Sequence, residues 1–198
     1  MLNEILFKYN NLIHMLYVQC QEIEKCFAEH ILCKPGCHQC CLVEKSVLPI
    51  EAFIIEQQLQ SFSKERIKKL LANHRADDSI CPMLWKNRCA VYPARPISCR
   101  IIGLPILYCE AEISFVDYCH LNFTRLPANH RFKKNLILDL RQINSELARL
   151  DLEFNDNILQ KKWRPNQRIL LKDILNKQKP DRRSKGNRNK DSRNLSQL

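Results

Sequence analysis

The run from Cys33 to Cys41 most constrains how this chain folds, because it contains four cysteines within nine residues. Thiols this close in sequence can converge on one point, because only a short length of chain has to be ordered to bring them together. Such convergence suits a soft metal ion or an iron–sulfur cluster. Adjacent side chains diverge by about 100° in a helix and point to opposite faces of a strand. We therefore expect Cys40 and Cys41 to serve two neighbouring sites, or one site and the core.

A second set of cysteines begins at Cys81. The segments 81–84 and 89–92 predict two short strands joined through Lys86-Asn87-Arg88, a small hairpin that brings Cys81 near Cys89. Hairpins of this kind often supply ligands to structural metal sites. The sequence therefore predicts that the two sets of thiols meet at one inorganic centre.

Basic residues accompany the cysteines. Residues 33–41 and 81–100 contain no Asp or Glu, whereas Arg95 and Arg100 flank Cys99. A metal ion held by four thiolates carries net negative charge, which nearby guanidinium groups offset. We expect both arginines to hydrogen-bond to sulfur.

Composition suits one domain with a core, since 45% of the 198 residues are hydrophobic. The eleven cysteines are an odd number. Residues 1–8 include Glu4 and do not resemble a signal peptide, and no apolar run is long enough to span a membrane. We therefore expect a cytoplasmic protein, in which clustered cysteines more often bind metal than form disulfides.

The positive charge is concentrated at the C-terminus. Residues 161–198 contain thirteen Lys or Arg and three Asp, whereas the preceding residues contain nineteen basic and eighteen acidic side chains. Residues 177–198 predict a basic, disordered tail. Such a tail either binds a protein or RNA partner non-specifically or only increases solubility.

The rest of the pattern predicts a mainly α-helical fold with a small irregular, β-hairpin cysteine-rich metal-binding region. Residues 1–176 form a single cysteine-cluster domain in this interpretation. An N-terminal helix covers 1–31, the cluster core covers 33–123, and C-terminal helices cover 129–176.

Local signals support these helices. Three-and-four spacing of apolar residues in the N-terminal helix puts Cys20 in the buried stripe and Cys26 outside it. Pro49 suits the first position of a helix, and Ser63 suits the cap of the next.

The cysteine pattern resembles a known family. The runs Cys-x3-Cys-x2-Cys-Cys, Cys-Pro-x-Leu and Cys-x-Val-Tyr-x2-Arg-Pro-x2-Cys-Arg resemble the YkgJ-type cysteine-cluster family, whose CxxCxxCC domain is described as zinc- or iron-chelating. The resemblance covers residues 30–123. Its later segment, Cys119-His-Leu-Asn-Phe123, implies Cys119 as an eighth ligand. Flagellin lysine N-methylases carry a similar module, for which an iron–sulfur cluster is implied.

These arguments predict a metal-binding protein whose biological role the sequence does not assign. The predicted metal ligands are Cys33, Cys37, Cys40, Cys41, Cys81, Cys89, Cys99 and Cys119. Eight thiols suit two tetrahedral zinc ions, or one [4Fe–4S] cluster with four thiols left for a second metal. His38 and His120 are alternative ligands, since each lies beside a predicted one.

Other interpretations remain open at this stage. One is a structural zinc module with a nucleic-acid-binding tail, and another is an enzyme resembling the flagellin methylases. The spacing of Cys33, Cys37 and Cys40 also fits a radical S-adenosylmethionine cluster, but the chain lacks the βαβ alternation and the Gly-rich loop of such enzymes. No catalytic residue is assigned.

Overall fold

The computed structural model describes residues 1–34, 36–110, 113–127 and 129–178. Within these residues the chain is mainly α-helical with short strands, which confirms the predicted fold class. The helices are α1 (Leu2–Cys26), α2 (Pro49–Gln60), α3 (Lys64–Ala76), α4 (Ile97–Ile101), α5 (Leu140–Asn157) and α6 (Leu171–Asn176). The strands are β1 (Ser46–Val47), β2 (Leu84–Trp85), β3 (Arg88–Cys89), β4 (Ile106–Glu110), β5 (Ile113–Asp117), β6 (Leu138–Asp139) and β7 (Ile169–Leu170).

The described strands form three small sheets. β1 pairs with β7, β2 pairs with β3, and β4 lies between antiparallel β5 and parallel β6. The β2–β3 hairpin confirms the sequence prediction, although its strands are two residues long. Its turn residues Lys86 and Asn87 both have positive φ, 49° and 58°, the backbone form that favours two-residue hairpins. Cys81 therefore lies before the hairpin rather than at its end.

Local signals set most helix ends. Pro49 begins α2 as predicted, and the Ser63 hydroxyl accepts the Arg66 N–H at 3.2 Å to cap α3. The N-terminal helix is shorter than the predicted 1–31, since α1 ends at Cys26 and residues 27–30 form a turn. The Phe27 ring packs edge-on against Phe123 and Phe132, which holds the chain off the helix axis.

Two hydrophobic clusters form the core. The first joins α1, α4, α5 and β6, and includes Ile5, Leu12, Cys20, Ile23, Ile97, Ile101, Leu138, Leu150 and Phe154. The second joins α2, α3, β2 and α6, and includes Ile55, Leu59, Leu70, Cys81, Met83, Val91, Ile174 and Leu175. The position of Cys20 in the first cluster confirms it as a core residue.

The segment 91–101 crosses from the second cluster to the first, since Val91 belongs to one and Ile97 to the other. It thereby carries Cys99 past the boundary between the two.

The C-terminal tail falls largely outside the described residues. Lys177 and Gln178 form a turn after α6, whereas residues 179–198 lie beyond the part of the chain that the structure describes. The division into one domain over 1–176 and a basic tail stays a prediction. Among the described helices, none has the length and apolar character needed to cross a bilayer.

Candidate metal centre

The predicted ligands come from separate segments that the fold brings into contact. Cys40 and Cys41 lie in a short 3-10 helix, Gln39–Cys41, after the loop that follows α1. The Cys81 N–H donates to the Cys41 carbonyl at 2.7 Å, which fastens this loop to the segment after α3. Cys89 ends β3, and Cys99 lies in α4.

Four thiols form an inner group, Cys41, Cys81, Cys89 and Cys99, which we call the inner thiols. The Cys41 and Cys81 thiols lie close enough for each to shift the pKa of the other, and the charges of Cys89 and Cys99 also act on the pKa of Cys81. Cys81 is 5% exposed, and the other three are half-buried. These positions bring together ligands predicted from both cysteine sets.

Burial sets the protonation of the inner thiols. It raises the pKa of Cys89 and of Cys99. A hydrogen bond with Cys40 lowers the pKa of Cys41, but contact with Cys81 and burial outweigh it and raise that pKa to about 11. The hydrogen bond from Cys41 lowers the pKa of Cys81. Metal binding here must therefore displace protons from most of these thiols.

Three thiols form an outer group, Cys33, Cys37 and Cys119, which we call the outer thiols. Cys33 and Cys37 are exposed, and Cys119 is half-buried. Cys33 and Cys119 meet at Gly103: a Cβ built there would lie 3.3 Å from Cys33 Sγ and 3.5 Å from Cys119 Cβ. Cys119, which the family resemblance nominated, thus lies beside a thiol from the first cysteine set.

Cys40 lies between the two groups. Its thiol is hydrogen-bonded to Cys41, and its charge also acts on Cys33, Cys89 and Cys99. The expectation that Cys40 and Cys41 serve different sites stays a prediction; both residues lie in the 3-10 helix Gln39–Cys41.

The donor set fits the predicted metals, although the thiols do not form a ready coordination shell. Among the described residues, no three or more His, Cys, Asp or Glu side chains have the arrangement of a metal site. Each thiol turns about one torsion, χ1, so small side-chain movements change the sulfur positions. Thiolates are the preferred ligands of iron–sulfur clusters and of structural zinc.

The predicted arginine contacts to sulfur are not the ones observed. Arg100 donates from Nε to the Arg95 carbonyl at 2.8 Å and from Nη2 to the Pro93 carbonyl at 2.6 Å. The Arg95 guanidinium lies 3.7 Å from the centre of the Tyr92 ring. The Arg100 guanidinium therefore stabilises the loop that precedes Cys99, since it donates to two backbone carbonyls of that loop.

Positive charge nevertheless acts on the thiols. Burial raises the pKa of Cys89, and the charge of Arg95 acts in the opposite direction. Burial likewise raises the pKa of Cys99, and the charge of Lys45 opposes that rise. Lys45 was missed because it lies just outside the run of clustered cysteines. A lysine following a cysteine cluster would have been the signal for it.

The two candidate histidines differ in surroundings. His38 Nδ1 lies 3.1 Å from the Gly36 carbonyl, so this ring nitrogen is directed at the backbone. His120 is exposed. The structure gives neither ring a contact to sulfur among the described hydrogen bonds.

Two buried polar residues position the site and were not singled out from the sequence. Glu51, 3% exposed, accepts the Ile97 N–H at 2.8 Å and the Leu48 N–H at 3.3 Å, which fixes the start of α4 and hence Cys99. Asn122, 1% exposed, donates to Cys33 Sγ at 3.5 Å. A Glu at the third position of a helix is a recognised capping signal, so the role of Glu51 had a signal in the sequence. A single Asn such as Asn122 has no comparable signal.

Part of the chain matches the model of a known family. Residues 32–119 match the CxxCxxCC family, whose description is "Putative zinc- or iron-chelating domain". The matched span contains all eight predicted ligands. Three residues, rather than the two in the family name, separate Cys33 from Cys37. No curated protein and no solved structure matches the chain.

Proposed function

We propose that this chain, which carries a CxxCxxCC domain over residues 32–119, binds zinc or an iron–sulfur cluster through its clustered thiols. The observation that carries the proposal is the contact between Cys41 and Cys81, which are distant in sequence and belong to the two predicted sets: the Cys81 N–H donates to the Cys41 carbonyl at 2.7 Å. The bond holds two free cysteines of the two sets side by side in a domain of this family, which is where a shared soft metal would use their thiolates.

The ligands divide into two sets of four in this proposal. One set is the inner thiols, and the other is the outer thiols with Cys40, whose charge acts on Cys33. Each set has the four sulfurs that a tetrahedral zinc ion or a [4Fe–4S] cluster requires. The metal supplies the attraction that closes four thiolates around one centre.

The chain contributes three things to such a centre. It supplies the sulfur ligands, it screens Cys81 from water in the second core cluster, and it places Lys45 and Arg95 where they offset negative charge. Since most inner thiols start protonated, binding releases protons, so affinity rises with pH. A role as an enzyme and a nucleic-acid-binding tail stay predictions from the sequence.

Anaerobic purification of the full chain, followed by elemental analysis and a visible spectrum, tests the proposal. Zinc gives a colourless protein, whereas iron with acid-labile sulfide gives a brown one. Replacing Cys40 or Cys41 by Ser separately tests the division, since each variant should lose metal from one set only. A folded wild-type protein free of both metals contradicts the proposed function.

A further inference from the structure

We propose that Asn122 is a positioning residue of the candidate metal centre, which holds the Cys33 sulfur beside Cys119 and donates a hydrogen bond to it. The inference rests on the proposed function, because it assigns a role within the same site. It concerns the outer thiols, of which Cys33 and Cys37 are exposed and so cannot rely on core packing to fix their positions.

Asn122 joins three chain segments through its polar groups. Its Oδ1 accepts the Leu32 N–H at 2.9 Å, and its Nδ2 donates to the Gly103 carbonyl at 2.7 Å. Its backbone N–H donates to the Cys119 carbonyl at 2.8 Å. The residue before Cys33, the glycine beside Cys33 and the Cys119 loop are therefore tied to one buried side chain.

The amide nitrogen has a second hydrogen for sulfur. A carboxamide NH2 group donates two hydrogen bonds, and Nδ2 lies 3.5 Å from Cys33 Sγ in addition to its bond with Gly103. The bond to Gly103 and the bond to Leu32 fix both ends of the amide, so its second N–H has one direction.

Gly103 permits this close approach. Its φ is +96°, and a Cβ at this position would lie 3.3 Å from Asn122 Nδ2 and 3.3 Å from Cys33 Sγ. A side chain would therefore crowd both partners of the hydrogen bond, in a backbone conformation that L residues rarely adopt.

Phe123 holds the backbone of Asn122 from the other side. It has a positive φ of 60°, an unusual conformation for an aromatic residue, and its N–H donates to the His30 carbonyl at 2.7 Å. Its ring is 3% exposed and packs against Phe27 and Tyr118. The aromatic packing thus keeps the chain in the conformation that directs Asn122 towards Cys33.

Groups that hydrogen-bond to metal ligands orient those ligands, and their loss typically lowers metal affinity about 10- to 100-fold. The variant Asn122→Asp keeps an acceptor for Leu32 but removes the N–H groups donated to the Cys33 sulfur and to the Gly103 carbonyl, the two bonds that join Cys33 to the Gly103 segment. We expect it to weaken metal binding at the outer thiols by this factor and to alter the sulfur-to-metal charge-transfer bands of the cobalt-loaded protein.

Asn155 supplies a matched control. It is 4% exposed, and its amide donates to the Trp163 carbonyl at 2.8 Å and accepts the Trp163 N–H at 3.1 Å. Asn155→Asp therefore makes the same change in an equally buried residue that donates to backbone only. We expect its metal affinity and its cobalt spectrum to match the wild type. Equal affinity and spectra in Asn122→Asp and the wild type overturn the inference.

A measurement on metal-free protein separates this inference from the proposed function. Dibromobimane links neighbouring thiols, and mass spectrometry identifies the linked pair. We expect a Cys33–Cys119 link in the wild type and in Asn155→Asp, and its loss in Asn122→Asp. A wild type that binds no metal refutes the proposed function, whereas equal cross-linking in Asn122→Asp refutes the positioning of Cys33.

Folding is checked by circular dichroism on each protein. If Asn122→Asp does not fold, Asn122→Ala and Asn155→Ala repeat the comparison. If both Asn122 variants unfold while both Asn155 variants stay folded, the specific role is refuted, because Asn122 then acts in the fold as a whole.

Discussion

The inner and outer thiols are positioned by different means. Three of the four inner thiols belong to the second core cluster: Cys81 is part of it at 5% exposure, and Cys41 and Cys89 pack against it. The outer thiols lie on loops, where Cys33 and Cys37 are exposed and one buried amide, that of Asn122, contacts sulfur. The difference indicates that core packing fixes most of the inner thiols, whereas a single hydrogen bond fixes Cys33 among the outer ones.

Replacing an inner thiol should have the largest effect. We expect Cys81→Ser to lose metal from the inner thiols and to lower the free energy of unfolding by roughly 5 kcal/mol or more, since structural metal contributes about 10–16 kcal/mol. Elemental analysis and chemical denaturation measure the two quantities.

Cys20→Ser is the control for this change. Cys20 is also a buried thiol, 8% exposed, but it belongs to the first core cluster. Its replacement buries the same hydroxyl without removing a proposed ligand, so metal content should be unchanged. Equal metal loss in the two variants contradicts the inner site.

Removing the support of α4 should have an intermediate effect. Glu51→Ala leaves the Ile97 and Leu48 N–H groups without their acceptor, and each buried unpaired donor costs about 1–3 kcal/mol. We therefore expect a loss of about 2–6 kcal/mol in the free energy of unfolding of the metal-free protein. We also expect weaker metal binding at the inner thiols, because Cys99 follows Ile97 in α4.

Glu56→Ala is the control for Glu51→Ala on the same helix. Glu56 forms a partly exposed salt bridge to Lys177, with the Lys177 side chain 50% exposed. Such pairs contribute about 0–1 kcal/mol, so this variant should change little. A Glu51→Ala protein as stable as Glu56→Ala would show that α4 does not depend on the carboxylate.

The sequence predicted the parts of the fold that local signals determine. Pro49 and Ser63 marked two helix starts, and Lys86-Asn87 marked the turn of the β2–β3 hairpin. The β4–β5 hairpin was missed, because no Gly, Asn or Pro interrupts the residues between Ile106 and Asp117. Periodicity alone does not separate such an apolar segment from a helix.

The site was predictable only at the level of its donor atoms. The clustering of cysteines in the sequence predicted which residues supply the sulfur atoms. It did not predict that Cys41 lies beside Cys81 or that Cys33 lies beside Cys119. Those meetings depend on tertiary contacts such as the Cys81 N–H bond to the Cys41 carbonyl and the buried amide of Asn122. Long-range contacts of this kind have no local sequence signature.

Replacing an outer thiol should have the smallest effect on the fold. Cys37 is exposed, so Cys37→Ser should change the free energy of unfolding of the metal-free protein by no more than about 0.5 kcal/mol, the usual range for surface substitutions. Metal bound by the outer thiols should nevertheless fall, because a ligand is lost. Cys26→Ser is the control, since Cys26 is an exposed thiol at the end of α1 that is not a proposed ligand. A metal content equal to that of Cys26→Ser would remove Cys37 from the site, and a large loss of metal-free stability would show that the outer loops are packed as firmly as the inner ones.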